Sequence, residues 1–189
     1  MKRRGFTLSE LVIAAAIASI LAGLTAASYI SIQRLVARGQ DDLLAASTAR
    51  VIIDRVSRDL RQALVVVDSI PPDAADGLTS LEFEDGHDVD PAGPTYITYS
   101  LDGTDVRRNR HYYYLTSSPN QRLPYNAGVV GQGGFAVASL SGEDYIIADR
   151  VSDLRFYGSS SLVYIDTSIT VNAVSNDQSY HSAVAKRNQ

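Results

Sequence analysis

The chain has no cysteine among its 189 residues. That excludes a disulfide framework, a thiol nucleophile, a thiolate metal site and acylation of a lipoprotein cysteine. Charge is missing from Leu11 to Ile32, a run of 22 residues, and proline is missing from the same stretch, so no proline kink is implied there. Histidine is scarce. His87, His111 and His181 are scattered, fit no metal-ligand spacing and read as surface or loop residues. There is no Gly-x-Ser-x-Gly elbow and no Walker loop. Gly131-Gln132-Gly133-Gly134 lacks the Lys-Ser/Thr that would follow, and reads as a turn. With no assembled constellation of reactive groups, the expectation is a protein that is not an enzyme and carries no cofactor.

What is present begins with MKRRGFTLSELVIAAAIASILAGL. At ~1.5 Å per residue, the uncharged run makes roughly 33 Å of helix, enough to cross a hydrocarbon core of about 30 Å. Lys2, Arg3 and Arg4 precede it, which places the N-terminus in the cytoplasm and the rest outside as a single-pass protein. The formal charge is −4, and without those three residues the balance is 14 basic against 21 acidic. An acidic exported domain is poorly suited to unspecific DNA binding, which depends on neutralising phosphates.

The residues admit three readings of this start. A secretory signal needs a shorter apolar core, and its small-residue cleavage site would be Thr25-Ala26-Ala27. A plain signal anchor accounts for the length and the basic flank, but not for Glu10. The third reading takes Gly5-Phe6-Thr7-Leu8-Ser9-Glu10 as one unit. Arg4-Gly5-Phe6-Thr7-Leu8-x-Glu10 closely resembles the class III leader of the type IV prepilin and pseudopilin superfamily. The resemblance implies cleavage between Gly5 and Phe6 by a prepilin peptidase, which is also the methyltransferase acting on the new amino group of Phe6. It implies that the apolar segment stays as anchor and filament core, in contact with the lipid bilayer, with the inner-membrane assembly platform and with other major and minor pilins or pseudopilins. The protein would reside in the inner membrane before entering a pilus or pseudopilus.

Glu10 then follows the new N-terminus by four residues. An unpaired charge in hydrocarbon costs at least a few kcal/mol, so both groups need partners. Glu10 can meet its own N-terminus one turn away, or that of a neighbouring subunit, which would set the axial register. The resemblance favours the neighbour; an acid near a helix start is also tolerable by itself.

Beyond Ile32 the pattern stays helical and becomes amphipathic, with apolar residues at Leu35, Val36, Leu43, Leu44, Ile52, Ile53, Val56, Leu60 and Leu64. Opposite charges four apart, Arg38–Asp42, Arg50–Asp54, Asp54–Arg58 and Arg55–Asp59, predict a solvated, ion-paired face. Gly39 marks a weak point, and the helix is predicted to end around Leu64–Asp68, before Ile70-Pro71-Pro72. Period two then takes over. Strands are predicted at Leu78–Glu84, in a hairpin from Thr95 through Asp102-Gly103 to Leu115, and at Tyr145–Ala148, Val151–Tyr157 and Leu162–Val171. Asp85–Pro94 and Leu115–Gly134 read as loops.

The expected fold class is α+β, a pilin-like fold with an antiparallel sheet packed on the outer half of one long helix. Its parts are a leader at 1–5, a transmembrane and assembly helix at 6–32, an amphipathic continuation at 33–68 and a β-rich extracytoplasmic domain at 69–189. Four segments, "RVSRDLRQA" (Arg55–Ala63), "YITYSLDG" (Tyr96–Gly103), "IIADRVSDLRFYG" (Ile146–Gly158) and "VAKRN" (Val184–Asn188), are similar to the J-type minor pseudopilin of type II secretion and the W-type minor pilin. That similarity implies a place at or near a filament tip and a role in starting assembly.

Two further signals concern ligands. Glu84, Asp85, Asp88 and Asp90 cluster in one loop where calcium could bind, though without EF-hand spacing. Arg107, Arg108 and Arg110 stand beside three tyrosines, a pattern that can grip single-stranded nucleic acid in a DNA-contacting minor pilin of a competence pilus. On a strand those arginines would split between two faces, as on a charge-protected edge.

Overall fold

In a computed structural model, residues 7–87, 91–170 and 177–185 are described. Among these residues one α-helix, α1 (Leu8–Gln62), is followed by eight strands: β1 (Ser80–Glu84), β2 (Tyr96–Asp102), β3 (Asp105–Leu115), β4 (Ser118–Leu123), β5 (Phe135–Ala148), β6 (Val151–Gly158), β7 (Leu162–Thr170) and β8 (Asp177–Ala185). The architecture is α+β, as expected. The chain divides into two compact units, residues 1–43 and 44–189.

The first unit holds the apolar part of α1. Its most apolar 18-residue window has a mean hydropathy of 2.2, and none of it is buried among the described residues. Leu11, Ile13, Ile17, Ile20, Leu21, Leu24 and Ile32 all lie on its open surface. By length and composition this segment can cross a membrane. Three of its hydroxyls suit that medium, because Ser19, Thr25 and Ser31 donate to the carbonyls of Ala15, Leu21 and Ala27 at 2.8, 2.8 and 3.0 Å. Those three groups are satisfied inside the helix, where lipid would offer them nothing. Helical structure continues through Gly39.

In the second unit, α1 buries Ala45, Ala49, Ile52, Val56, Leu60 and then Ala63 just past its end, a stripe at helical spacing. The predicted stripe included Leu43 and Leu44, which are instead exposed. Alanines take the buried positions because a small side chain lets the helix backbone approach the sheet. Against this stripe lie Leu81, Phe83, Ile97, Tyr99 and Val106 from one sheet, and Val151, Leu154, Phe156, Val163, Ile165, Ile169 and Val184 from a second.

The first sheet runs β1-β2-β3, with β4 extending the β2 side of β3 and β5 along its other side; the second runs β6-β7-β8, and all pairings are antiparallel. Leu78, two residues before β1, exchanges backbone hydrogen bonds with Phe156 of β6 at 2.9 and 2.8 Å and joins the two sheets. The predicted hairpin forms one residue later than expected, with Asp102 opposite Asp105 across Gly103-Thr104. Gly103 has φ +63°, a conformation that glycine adopts without steric cost.

Three expectations are corrected. The helix stops at Gln62, and the segment 64–67 runs beside β1: Leu64 and Val67 donate to Glu84 and Glu82 carbonyls, and Glu84 donates to Val65. Three consecutive valines, 65–67, favour extended backbone. Leu115–Gly134 is not all loop, since β4 pairs with β3 through Tyr113–Leu123, Tyr114–Arg122 and Leu115–Ser118. The strand predicted at Tyr145–Ala148 begins ten residues earlier, at Phe135, and β8 completes the second sheet.

Candidate functional site

The N-terminal site starts at Thr7, since Gly5 and Phe6 lie outside the described residues. Leu11 N–H donates to the Thr7 carbonyl at 3.2 Å, the first helical bond. Glu10 N–H donates to Thr7 Oγ1 at 3.3 Å, while Thr7 N–H and its hydroxyl both reach Glu10 Oε2 at 2.9 Å. This is a capping box, in which Thr7 and Glu10 satisfy each other's otherwise orphaned donors. The sequence reading missed the role of Thr7, although a threonine three residues before a glutamate, just ahead of an apolar run, is its signature. Glu10 therefore has a local function at the head of the helix besides any it has between subunits.

Residues 1–26 match the model of the prokaryotic N-terminal methylation motif. The match supports a type IV pilin-like protein. The matched segment includes Gly5, Phe6 and Glu10, and the motif implies interaction with prepilin peptidase and with other pilin subunits in a membrane assembly. None of the curated proteins matches the chain.

Elsewhere several charged side chains meet where α1 packs on β3. Asp59 Oδ2 accepts from Tyr99 Oη at 2.6 Å and from Arg108 Nε at 2.9 Å. Arg108 Nη1 also donates to Glu143 Oε2 at 3.1 Å. Glu143 reaches this point through a bulge: residues 140–143 of β5 lie opposite Arg110 alone, between the pairs Asn109–Asp144 and His111–Ser139. Burial by itself would lower the Arg108 pKa, but the hydrogen bond and charge of Asp59 carry it higher than usual. Burial, then the Asp59 charge, pushes the Tyr99 hydroxyl up, so it remains a donor. Arg55 Nη2 donates to Tyr145 Oη at 2.8 Å. Of the expected one-turn pairs, Arg55–Asp59 is therefore replaced by contacts to the sheet, and among the described residues no ion pair joins Asp54 to Arg58.

The three arginines considered for nucleic acid are held by carboxylates. Arg108 is buried. Arg110 Nε is 2.9 Å from Asp85 Oδ2, and Arg107 lies 3.3 and 3.5 Å from Asp102 and Asp144. Alternation does split them, with Arg108 and Arg110 opposite Tyr99 and Ile97 on the helix side and Arg107 opposite Ser100. In the acidic loop, Asp85 is committed to Arg110 and to the His87 N–H, while Asp88 and Asp90 lie outside the described residues. Among the described residues no group of three or more His, Asp or Glu converges as for a metal.

On the other face of the first sheet, His111 is buried, which corrects its reading as a surface residue. It sits between Tyr96 and Tyr113, its Nε2 3.1 Å from Glu82 Oε1, and Tyr113 Oη donates to the same oxygen at 2.6 Å. Burial would raise the Glu82 pKa, yet these two hydrogen bonds and the His111 charge bring it below the usual range. His181 is exposed and lies 2.8 Å from Asp166.

Proposed function

We propose that the chain is a minor pilin or pseudopilin, a structural subunit at or near the tip of a type IV pilus or type II secretion filament that helps initiate assembly. The observation that carries this reading is the methylation motif at the head of a helix whose apolar surface no described residue covers. Such a surface is stable in lipid, and later against the apolar helices of other subunits. The protein is held in the inner membrane by one pass with its N-terminus in the cytoplasm, as the basic leader directs. It acts through assembly, not through catalysis or a cofactor.

Both Thr7 donors converge on Glu10 Oε2, so the carboxylate can serve the helix cap and also receive the Phe6 ammonium of its own or a neighbouring chain. Intact mass and N-terminal sequencing of the protein from its native membrane test the first step. Loss of Met1–Gly5 with one methyl on Phe6 is expected, and an uncut chain in the presence of the peptidase overturns the reading. Deletion of the gene, scored for secreted enzymes, surface pili and transformation together, separates the pathways. The competence alternative predicts salt-sensitive DNA binding through Arg107, Arg108 and Arg110. Their carboxylate pairs speak against it, and binding that survives loss of all three excludes that site.

A further inference from the structure

We propose that the polar pocket between α1 and β3 takes a single carboxylate carried by a neighbouring filament subunit; this names a contact within the filament reading and rests on it. The pocket has a volume of about 320 Å³. Four guanidiniums and three carboxylates line it, leaving a formal charge of +1 with histidine counted as neutral. Arg108 and Arg110 are spent on Asp59, Glu143 and Asp85. The surplus belongs to Arg55 and Arg58. Among the described residues Arg55 has only the neutral Tyr145 hydroxyl as a hydrogen-bond acceptor, and its Nε is buried with none. Arg58 is exposed at the rim and has no acidic partner among the described residues.

Among the described residues the pocket therefore holds donors in excess and lacks one acceptor. A guanidinium fork suits carboxylate and phosphate alike. Phosphate, at about −1.5 to −2 at neutral pH, overfills a site of +1 and meets three acids in its walls. A carboxylate closes the balance. Free in water it gains little from an exposed arginine; delivered by a packed subunit and desolvated there, it gains much more.

The full-length chain in detergent micelles is unfolded thermally in sodium acetate, sodium chloride and sodium phosphate at equal ionic strength. The expected result is a saturable rise in midpoint with acetate, larger than with the other salts, absent in Arg58→Gln and kept in Arg38→Gln. Equal rises in all three salts, or an unchanged response in Arg58→Gln, overturn the site; a larger response to phosphate overturns the carboxylate. In the native membrane, Arg58→Glu is expected to lower cross-linking to other pilin subunits about tenfold while cleavage after Gly5 stays complete. Undiminished cross-linking with complete cleavage overturns the subunit source. Absence of cleavage in the unaltered chain overturns the filament reading instead.

Discussion

Asp59→Asn tests the seam between helix and sheet most directly. The change keeps the shape of the side chain and removes its charge. Asp59 and Arg108 are 12% and 8% exposed, and one oxygen of Asp59 serves both Arg108 and Tyr99. Removing one partner of a buried pair typically costs about 3–5 kcal/mol. Arg108 keeps Glu143, which is 39% exposed and therefore a weaker, hydrated partner, and the amide oxygen of asparagine can still accept both hydrogen bonds, without the charge. A loss of about 2–3 kcal/mol is expected after that discount. For a unit of this size the midpoint should fall by about 5–10 °C.

The assay is thermal unfolding of the full chain in detergent, followed by the circular dichroism of the strands. The triple variant Asp59→Leu, Tyr99→Phe, Arg108→Met removes all three polar groups together and should recover most of the loss, since a buried pair exchanged for apolar residues is often neutral. A fall under about 2 °C in Asp59→Asn refutes the reasoning. So does a fall that vanishes between 0.1 and 0.5 M salt, because a largely buried pair is screened much less than an exposed one.

Further tests address the core, a close backbone approach and pH. Ile52→Ala, at a fully buried position, should cost about 2–5 kcal/mol in the unfolding of the β-rich unit, whereas Ile20→Ala in the exposed apolar segment should leave that transition unchanged. Gly86→Ala places a methyl group against the Gln62 carbonyl at the end of α1 and should lower the midpoint, while Gly39→Ala, with open space around it, should not. Because the folded pKa of Glu82 lies below its unfolded value, its contribution is present above the usual carboxylate range and is lost as pH falls through the folded value. Glu82→Gln should therefore flatten the acid limb of a stability profile. Asp68, raised mainly by burial, acts in the opposite sense, and Asp68→Asn should steepen that limb.

The sequence by itself determined the features that depend on neighbours along the chain. The leader motif, the uncharged run, the helix through it, the hairpin of β2 and β3, and strands β6 and β7 all follow from local spacing and turn chemistry. The capping box was equally local, and was legible at Thr7 and Glu10. Tertiary structure decided what depends on distant partners. β4, "SPNQRL", carries a proline and little apolar surface, and becomes a strand because β3 offers it a ladder at the edge. β5 is broken in sequence by Leu140-Ser141-Gly142-Glu143, the bulge that brings Glu143 to Arg108.

The same holds for charge. Spacing of four residues paired Arg55 with Asp59 along the helix, but a sheet brought within reach offered each a better-shielded partner. An exposed one-turn pair is worth only a few tenths of a kcal/mol, whereas a buried arginine without its acid costs several. Burial also turned Arg108 from a candidate contact for DNA into part of the core, and His111 from a surface residue into the partner of Glu82. Period and motif record where a side chain sits along the chain; which charges are shielded from water is settled only when the sheet closes on the helix.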